Sequence, residues 1–210
     1  MDRLLTSPRV MFLNTDNTPA LEVVKRERVC NPGEVKIVTQ LVQGLRACGV
    51  SEDAIGIISI YRAQLKLIKE NLGTQDGKLE ILTADRFQGR DKDCIIISMV
   101  RSNNQKQIGD LLRDWRRLNV TFTRAMSKLI VIGSRRTLET EPTLQEFFRV
   151  IDSKKWSYNL PNDCTLIYTI PESEKIATTQ NQQKKFTTST MVAKKVSQSS
   201  VLRDIVNELQ

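Results

Sequence analysis

Residues 83–93 read Thr83-Ala84-Asp85-Arg86-Phe87-Gln88-Gly89-Arg90-Asp91-Lys92-Asp93, and an apolar run, Cys94-Ile95-Ile96-Ile97-Ser98-Met99-Val100, follows at once. Another apolar run of strand length, residues 79–83, leads in. A charged loop with a Gln-Gly turn between two strand-like runs is the pattern found at the carboxyl ends of parallel strands, where open α/β sheets bind ligands. A second dense stretch, Arg116-Arg117-Leu118-Asn119-Val120-Thr121-Phe122-Thr123-Arg124-Ala125, leads into a further strand-like run, residues 128–133.

Outward from this centre, strands and helices alternate. Residues 9–14 form a short apolar run closed by the turn residues Asn14-Thr15-Asp16-Asn17, and residues 15–30 are polar enough to read as loop. Asn31-Pro32-Gly33-Glu34 is a helix start: an Asn cap, a Pro at the first position and a Glu three residues on. Val35, Val38, Leu41, Val42 and Leu45 recur at helical spacing, and Gly49 suits the stop. Residues 55–60 are strand-like. Residues 61–72 carry an amphipathic helical pattern closed by Gly73. Residues 115–126 read as a helix, and Pro142 opens another with Leu144, Phe147, Phe148, Val150 and Ile151 on its apolar face. This alternation, with near-continuous apolar strands, predicts a parallel sheet with helices on both faces over residues 9–160. Residues 1–8 read as a flexible start. Residues 161–170 are expected to hold an edge strand at 165–170. Residues 171–210 turn to Thr, Gln, Ser and Lys, a low-complexity flexible tail with a short helix expected at its end.

The bulk numbers narrow the function classes. A 210-residue chain with 40% apolar and 27% charged residues can bury a core of useful size. Its net charge of +8 favours a polyanionic partner. There is no histidine, and none of the four cysteines lies close to another, so no zinc or iron–sulfur ligand set is expected and no metal ligands are assigned. Cys94 reads as a small buried hydrophobe. No signal peptide and no run approaching a membrane span appear, which reads as a soluble intracellular protein without a membrane partner.

Three groups of residues can carry chemistry. Tyr61 and Arg62 follow a buried strand, where a ring can stack on a base and a guanidinium can reach a phosphate; the plain alternative is a capping aromatic beside a solvated arginine. In residues 85–91, Gly89 permits a backbone conformation that other residues resist, Gln88 can bridge phosphate and backbone groups, and a carboxylate can hold ribose hydroxyls. Alternatively the loop is merely solvated. Arg117 and Arg124 lie two helical turns apart and are expected on one face, aimed at a phosphate or forming a basic helix surface. The Gly73-Thr74-Gln75-Asp76-Gly77-Lys78-Leu79 segment is not a P-loop. Only three residues separate its glycines, Leu79 follows the lysine, and a strand comes after it where a P-loop needs a helix. Neither a Walker A nor a Walker B segment is present, so these residues alone are not expected to hold Mg-ATP.

With these residues in view, the chain resembles the second RecA-like motor domain of superfamily 1 helicases, in the Upf-like branch. Residues 57–64 (Ile57-Ile58-Ser59-Ile60-Tyr61-Arg62-Ala63-Gln64) are similar to motif IV, residues 83–93 to motif V and residues 116–125 to motif VI. Phe12-Leu13-Asn14-Thr15, Gln64-Leu65-Lys66 and residues 109–119 further resemble the C-terminal end of the eukaryotic DNA replication ATP-dependent helicase/nuclease family. That resemblance implies ATP with Mg2+ as cofactor, the magnesium being held by a first motor domain. It also implies a nuclease with an iron–sulfur cluster, which these residues do not encode. Tyr61 would stack on adenine, Arg62 would approach the γ-phosphate, and Gly89, Gln88 and Asp91 would serve the nucleotide. Arg124 would be the arginine finger, while Thr83, Asp85 and Arg117 would face the strand. Implied partners are single-stranded and flap DNA, the parent's first RecA-like and nuclease domains, and a single-strand DNA-binding protein. The implied place is the nucleus, with the mitochondrion as a second compartment. An RNA helicase of the same branch and a catalytically inactive nucleic-acid-binding fragment are the alternatives. Met126, Thr121 and Ala84 depart from the usual motif residues but leave Arg124 and Gln88 in place.

Overall fold

A computed structural model describes residues 8–73 and 78–167. Most of the flexible start, the end of the expected edge strand, the tail and its terminal helix lie outside the described residues. The strands are β1 (Val10–Asn14), β2 (Val23–Lys25), β3 (Arg28–Cys30), β4 (Ile55–Ile58), β5 (Glu80–Leu82), β6 (Lys92–Ser98), β7 (Ala125–Gly133) and β8 (Ser157–Asn159). The helices are α1 (Pro32–Ala47), α2 (Arg62–Leu72), α3 (Ala84–Phe87), α4 (Trp115–Phe122), α5 (Arg135–Leu138), α6 (Pro142–Ser153) and α7 (Cys164–Ile167). Six strands form one sheet in the order β5-β4-β6-β7-β1-β8, every neighbouring pair parallel. This is the parallel α/β sheet expected from the alternation, and the RecA-like arrangement that the resemblance implies.

Successive residues of each strand point to opposite faces, and both faces are covered. Ile95 and Ile97 of β6, with Leu129 and Val131 of β7, pack beneath α3, α4 and α6 through Phe87, Leu118 and Phe148. Cys94, Ile96, Ile130 and Ile132 face the other way, onto Val38 and Val42 of α1 and Leu65 and Ile68 of α2. Burial pushes the Cys94 thiol up to about 12, so it remains a neutral apolar filler.

Helix boundaries follow local chemistry. The side chain of Asn31 accepts from the Glu34 amide at 3.0 Å, and Pro32 opens α1. Gly73 closes α2 in the left-handed conformation, φ 60°. The order β5-β4-β6 dictates more. Residues 83–91 connect two parallel strands that flank β4, so they must cross over β4 from one end of the sheet to the other. The expected loop is therefore a crossover connection with one helical turn, α3, inside it. Room for it comes from Gly56 in the middle of β4: a Cβ there would lie 2.5 Å from Cζ of Phe87 and 2.7 Å from Cδ1 of Ile95.

Three expectations are corrected. Residues 15–30 are not all loop, since β2 and β3 form a separate antiparallel ribbon. The edge strand is β8, paired with β1, whereas residues 164–167 make a helical turn. The helix expected over 115–126 stops at Phe122, because Thr123 caps it and β7 already begins at Ala125.

Gly56→Ala is expected to destabilise the chain by about 1–3 kcal/mol, the usual cost of forcing extra volume into a filled core. The check is a shift in the midpoint of urea unfolding at unchanged slope.

Candidate functional site

A cleft of about 320 Å³ opens beside the carboxyl ends of β4 and β5. Tyr61, Arg62, Thr83, Asp85 and Arg117 all line it. Gln88, Gly89, Asp91 and Arg124 do not. They follow at the far end of the crossover, where Asp91 and Arg124 immediately precede β6 and β7. The sequence-predicted residues thus fall into two clusters joined by α3 and α4, which pack together.

Ion pairs tie the two dense sequence stretches to each other. Arg117 Nε donates to Asp85 Oδ1 at 3.1 Å, and Arg124 Nη1 to Asp91 Oδ1 at 3.1 Å. The backbone adds a bond at the same place, from the Lys92 amide to the Arg124 carbonyl at 3.1 Å. The shared-face argument for the two arginines fails, since Arg124 stands beyond the helix. Its Nε instead donates to the Val120 carbonyl at 2.9 Å and its Nη2 to Thr123 Oγ1 at 3.1 Å. The two guanidiniums still meet the same stretch of chain, one at each end. Gly89 holds φ 76°, the left-handed conformation expected of it, with open space where a Cβ would stand.

Tyr61 keeps only 8% of its surface exposed. Its hydroxyl lies 3.5 Å from the Ile108 carbonyl, and Arg101 Nη1 donates to the same carbonyl at 3.0 Å. Arg101 is in turn paired with Glu22 at 2.9 Å, with both side chains nearly buried. Arg62, by contrast, is exposed and has no ion-pair or hydrogen-bond partner within the described residues. It opens α2, whose cap residue Tyr61 supplies no side-chain bond to the free amides. An unpaired guanidinium beside an uncapped helix start suits a phosphate-bearing ligand. The residues present therefore fit a nucleotide or a nucleic-acid backbone.

Gln64, which the sequence placed in the first motif stretch, does not reach the cleft. It is fully buried, accepting from the Asn31 amide at 2.8 Å and donating to Ser98 Oγ at 2.9 Å. Glu34 lies in the same network, accepting from Ser98 Oγ at 2.6 Å and the Val100 amide at 3.0 Å. Burial pushes its carboxyl up to about 8, against the opposing pull of those hydrogen bonds. Sequence reading missed part of the cleft wall: Glu27, Arg28 and Val29 of the ribbon, and Leu111. Val23-Val24 before Arg26-Glu27 and Val29 after it were the available signal, but that turn lacks the Asn-Gly type of pair that marks a hairpin.

Comparison with known proteins decides the family. A model of the AAA domain matches residues 2–136. The chain belongs to this AAA-domain family. It is also similar to the DNA replication ATP-dependent helicase/nuclease DNA2 of Saccharomyces cerevisiae, 45% identical over 174 residues, covering 81% of this chain and 11% of that protein. The human DNA2 is 43% identical over 153 residues, 73% of this chain and 14% of that protein. The Arabidopsis thaliana helicase/nuclease JHS1 is 41% identical over 157 residues, 73% of this chain and 12% of that protein. The chain thus spans about a tenth to a seventh of the relatives' length. This likeness agrees with a superfamily 1 helicase motor domain. Among the described residues no helix is long and apolar enough to cross a membrane.

The Glu34 carboxyl predicts a pH dependence. It holds its proton up to about pH 8 when folded but only to its ordinary 4.5 when unfolded, so the folded chain binds more protons between these values. Stability should therefore fall as pH rises from about 5 to about 8. Glu34→Gln, which keeps a side-chain oxygen for Ser98 and Val100, is expected to flatten that slope in urea titrations. An unchanged slope would mean that Glu34 is ionised in the folded chain.

Proposed function

We propose that this chain is the second motor domain of an ATP-dependent, 5′-to-3′ DNA helicase/nuclease. Such an enzyme would act in Okazaki-fragment processing and double-strand-break repair in the nucleus. The observation that carries this reading is the joining of residues 83–93 to residues 116–125 through the Arg117–Asp85 and Arg124–Asp91 pairs. Two segments with the residue types of motor motifs V and VI meet here as one unit, in a chain similar along most of its length to DNA helicase/nucleases.

In this reading a first motor domain supplies the P-loop and the magnesium ligands, and the nuclease and its iron–sulfur cluster belong to a further part of the parent protein. Hydrolysis of ATP supplies the free energy that moves the two motor domains against each other. Tyr61 offers its remaining exposed surface to the base and Arg62 its charge to a phosphate, and the nucleotide has to bridge from this cleft to the second cluster. Gln88 and Gly89 relay the state of the nucleotide toward the strand, with Asp91 serving the ribose. Arg124 is the arginine finger: it exchanges Asp91 for the charge that develops on the transferred phosphoryl group. Thr83, Asp85 and Arg117 lie along the single strand, whose phosphates fix position without reporting sequence. Flap DNA is the substrate that fits this role, with a single-strand DNA-binding protein as a further partner.

The reading fixes two expected outcomes. The purified 210-residue chain should show no DNA-stimulated ATP hydrolysis, because half of the site is elsewhere. In a full-length parent enzyme carrying this domain, Arg124→Ala should reduce turnover by about 10³-fold or more while ATP binding is largely retained. Unchanged turnover would remove Arg124 from the finger role, and robust turnover by the isolated chain would overturn the split site.

A further inference from the structure

The ribbon formed by β2 and β3 stands apart from the six-stranded sheet, and an isolated two-stranded ribbon is barely stable by itself. Packing against α2 secures it here. Its register pairs Val23 with Cys30, Val24 with Val29 and Lys25 with Arg28, which leaves Arg26 and Glu27 as the two-residue turn. Both turn residues hold left-handed backbone, φ 45° and 64°. That is the hairpin turn normally given to Asn-Gly, and an Arg-Glu pair adopts it at a cost of about 1 kcal/mol or more per residue. The strain places long charged side chains where small residues would serve folding better.

The charges are concentrated. Lys25, Arg26 and Arg28 fall within four residues and are all exposed. None has an ion-pair or hydrogen-bond partner within the described residues, although other surface arginines of this chain, such as Arg113, Arg135 and Arg149, are paired. Arg28 and Glu27 also line the cleft that holds Arg62, Thr83 and Arg117. The cleft lining sets Arg28, Arg62 and Arg117 against Glu27 and Asp85, and the ribbon extends its cationic side outward. A mononucleotide needs donors converging on one point. Cations spread along an extended ribbon match the repeated charges of a backbone.

We propose that the β2–β3 ribbon is a phosphate-binding arm, with Lys25, Arg26 and Arg28 contacting the backbone of a single-stranded nucleic acid that runs along the Thr83, Asp85 and Arg117 side of the cleft. This rests on the cleft reading given above and adds to it a contact that lies outside the three motif stretches. The arm contributes affinity without base preference.

The test measures binding of a fluorescein-labelled oligothymidylate to the 210-residue chain across a salt series, with an oligouridylate and a fluorescent ATP analogue as parallel probes. Each phosphate contact to a single strand contributes about 0.7 to the slope of log K against log salt. The Lys25→Gln/Arg26→Gln/Arg28→Gln variant should therefore lose roughly 2 from that slope, and about tenfold or more in affinity at low salt, with both oligonucleotides. Its unfolding midpoint should stay put, since the three side chains are exposed. An unchanged slope, or a loss confined to the ATP analogue, overturns the arm. The cleft reading is judged separately, by Arg117→Gln. If that variant weakens binding while the ribbon variant does not, the cleft stands and the arm falls. If the ribbon variant alone weakens it, the arm stands and the strand runs elsewhere. Absence of oligonucleotide binding by the unaltered chain overturns both.

Discussion

The contact of Phe87 with Gly56 is the constraint on which the site depends. The connection between β5 and β6 has to pass over β4, and it does so in residues 83–91, fewer than the dozen or so a parallel crossover usually takes. A short path must run close to the sheet. Gly56 offers bare backbone at the crossing point, and Phe87, fully buried, fills the space a side chain would have taken. Everything that follows Phe87 is placed by that seat. Gln88 and Gly89 turn the chain at the end of α3, and Asp91 arrives beside the start of β7, within reach of Arg124.

A second constraint works from the opposite face. Asn31, Glu34, Gln64 and Ser98 form a buried polar network joining the start of α1, the first turn of α2 and the end of β6. Val100 holds φ 71°, costly for a β-branched residue. It is kept there by its amide donating to Glu34 and its carbonyl accepting from Asn31 Nδ2 at 3.1 Å. This sharp exit from β6 sends Arg101 toward Glu22 and Ile108, and so builds the wall against which Tyr61 rests. The cost of burying Glu34 is thus part of how the motif tyrosine is positioned.

The parallel sheet was legible because fully buried strands read as continuous apolar runs, and residues 94–100 could hardly be anything else. The caps of α1 and α2 were legible for the same local reason, since Asn31 and Gly73 act through their own chemistry. Topology was not. No residue in 83–93 announces that β5 and β6 flank β4, so the stretch looked like a loop at one end of the sheet. The ribbon was hidden because its turn uses Arg26-Glu27, and the helical span of residues 115–126 was overdrawn because nothing before Thr123 stops a helix. Gln64 sits among cleft residues in sequence, but as the third residue of α2 it points into the core network.

The ion pairs of this chain divide by exposure, and the division follows their work. Glu22 and Arg101 have side chains 8% and 11% exposed, so removing either would strand a charge in a dry setting; such a pair fixes geometry. Asp85 and Asp91 are 65% and 52% exposed, and the pairs they make with Arg117 and Arg124 are of the solvent-screened kind that contributes less than about 1 kcal/mol. Pairs that weak align the guanidiniums without locking Arg117, whereas Arg124 is also held by the Val120 carbonyl and Thr123. A phosphate carrying more charge than a carboxylate, and closed in by a second domain that excludes water, would outcompete Asp85 or Asp91 for the same donors. The buried pair holds the frame while the exposed pairs aim the arginines, and under the proposed split site that is what one half needs before the other closes over it.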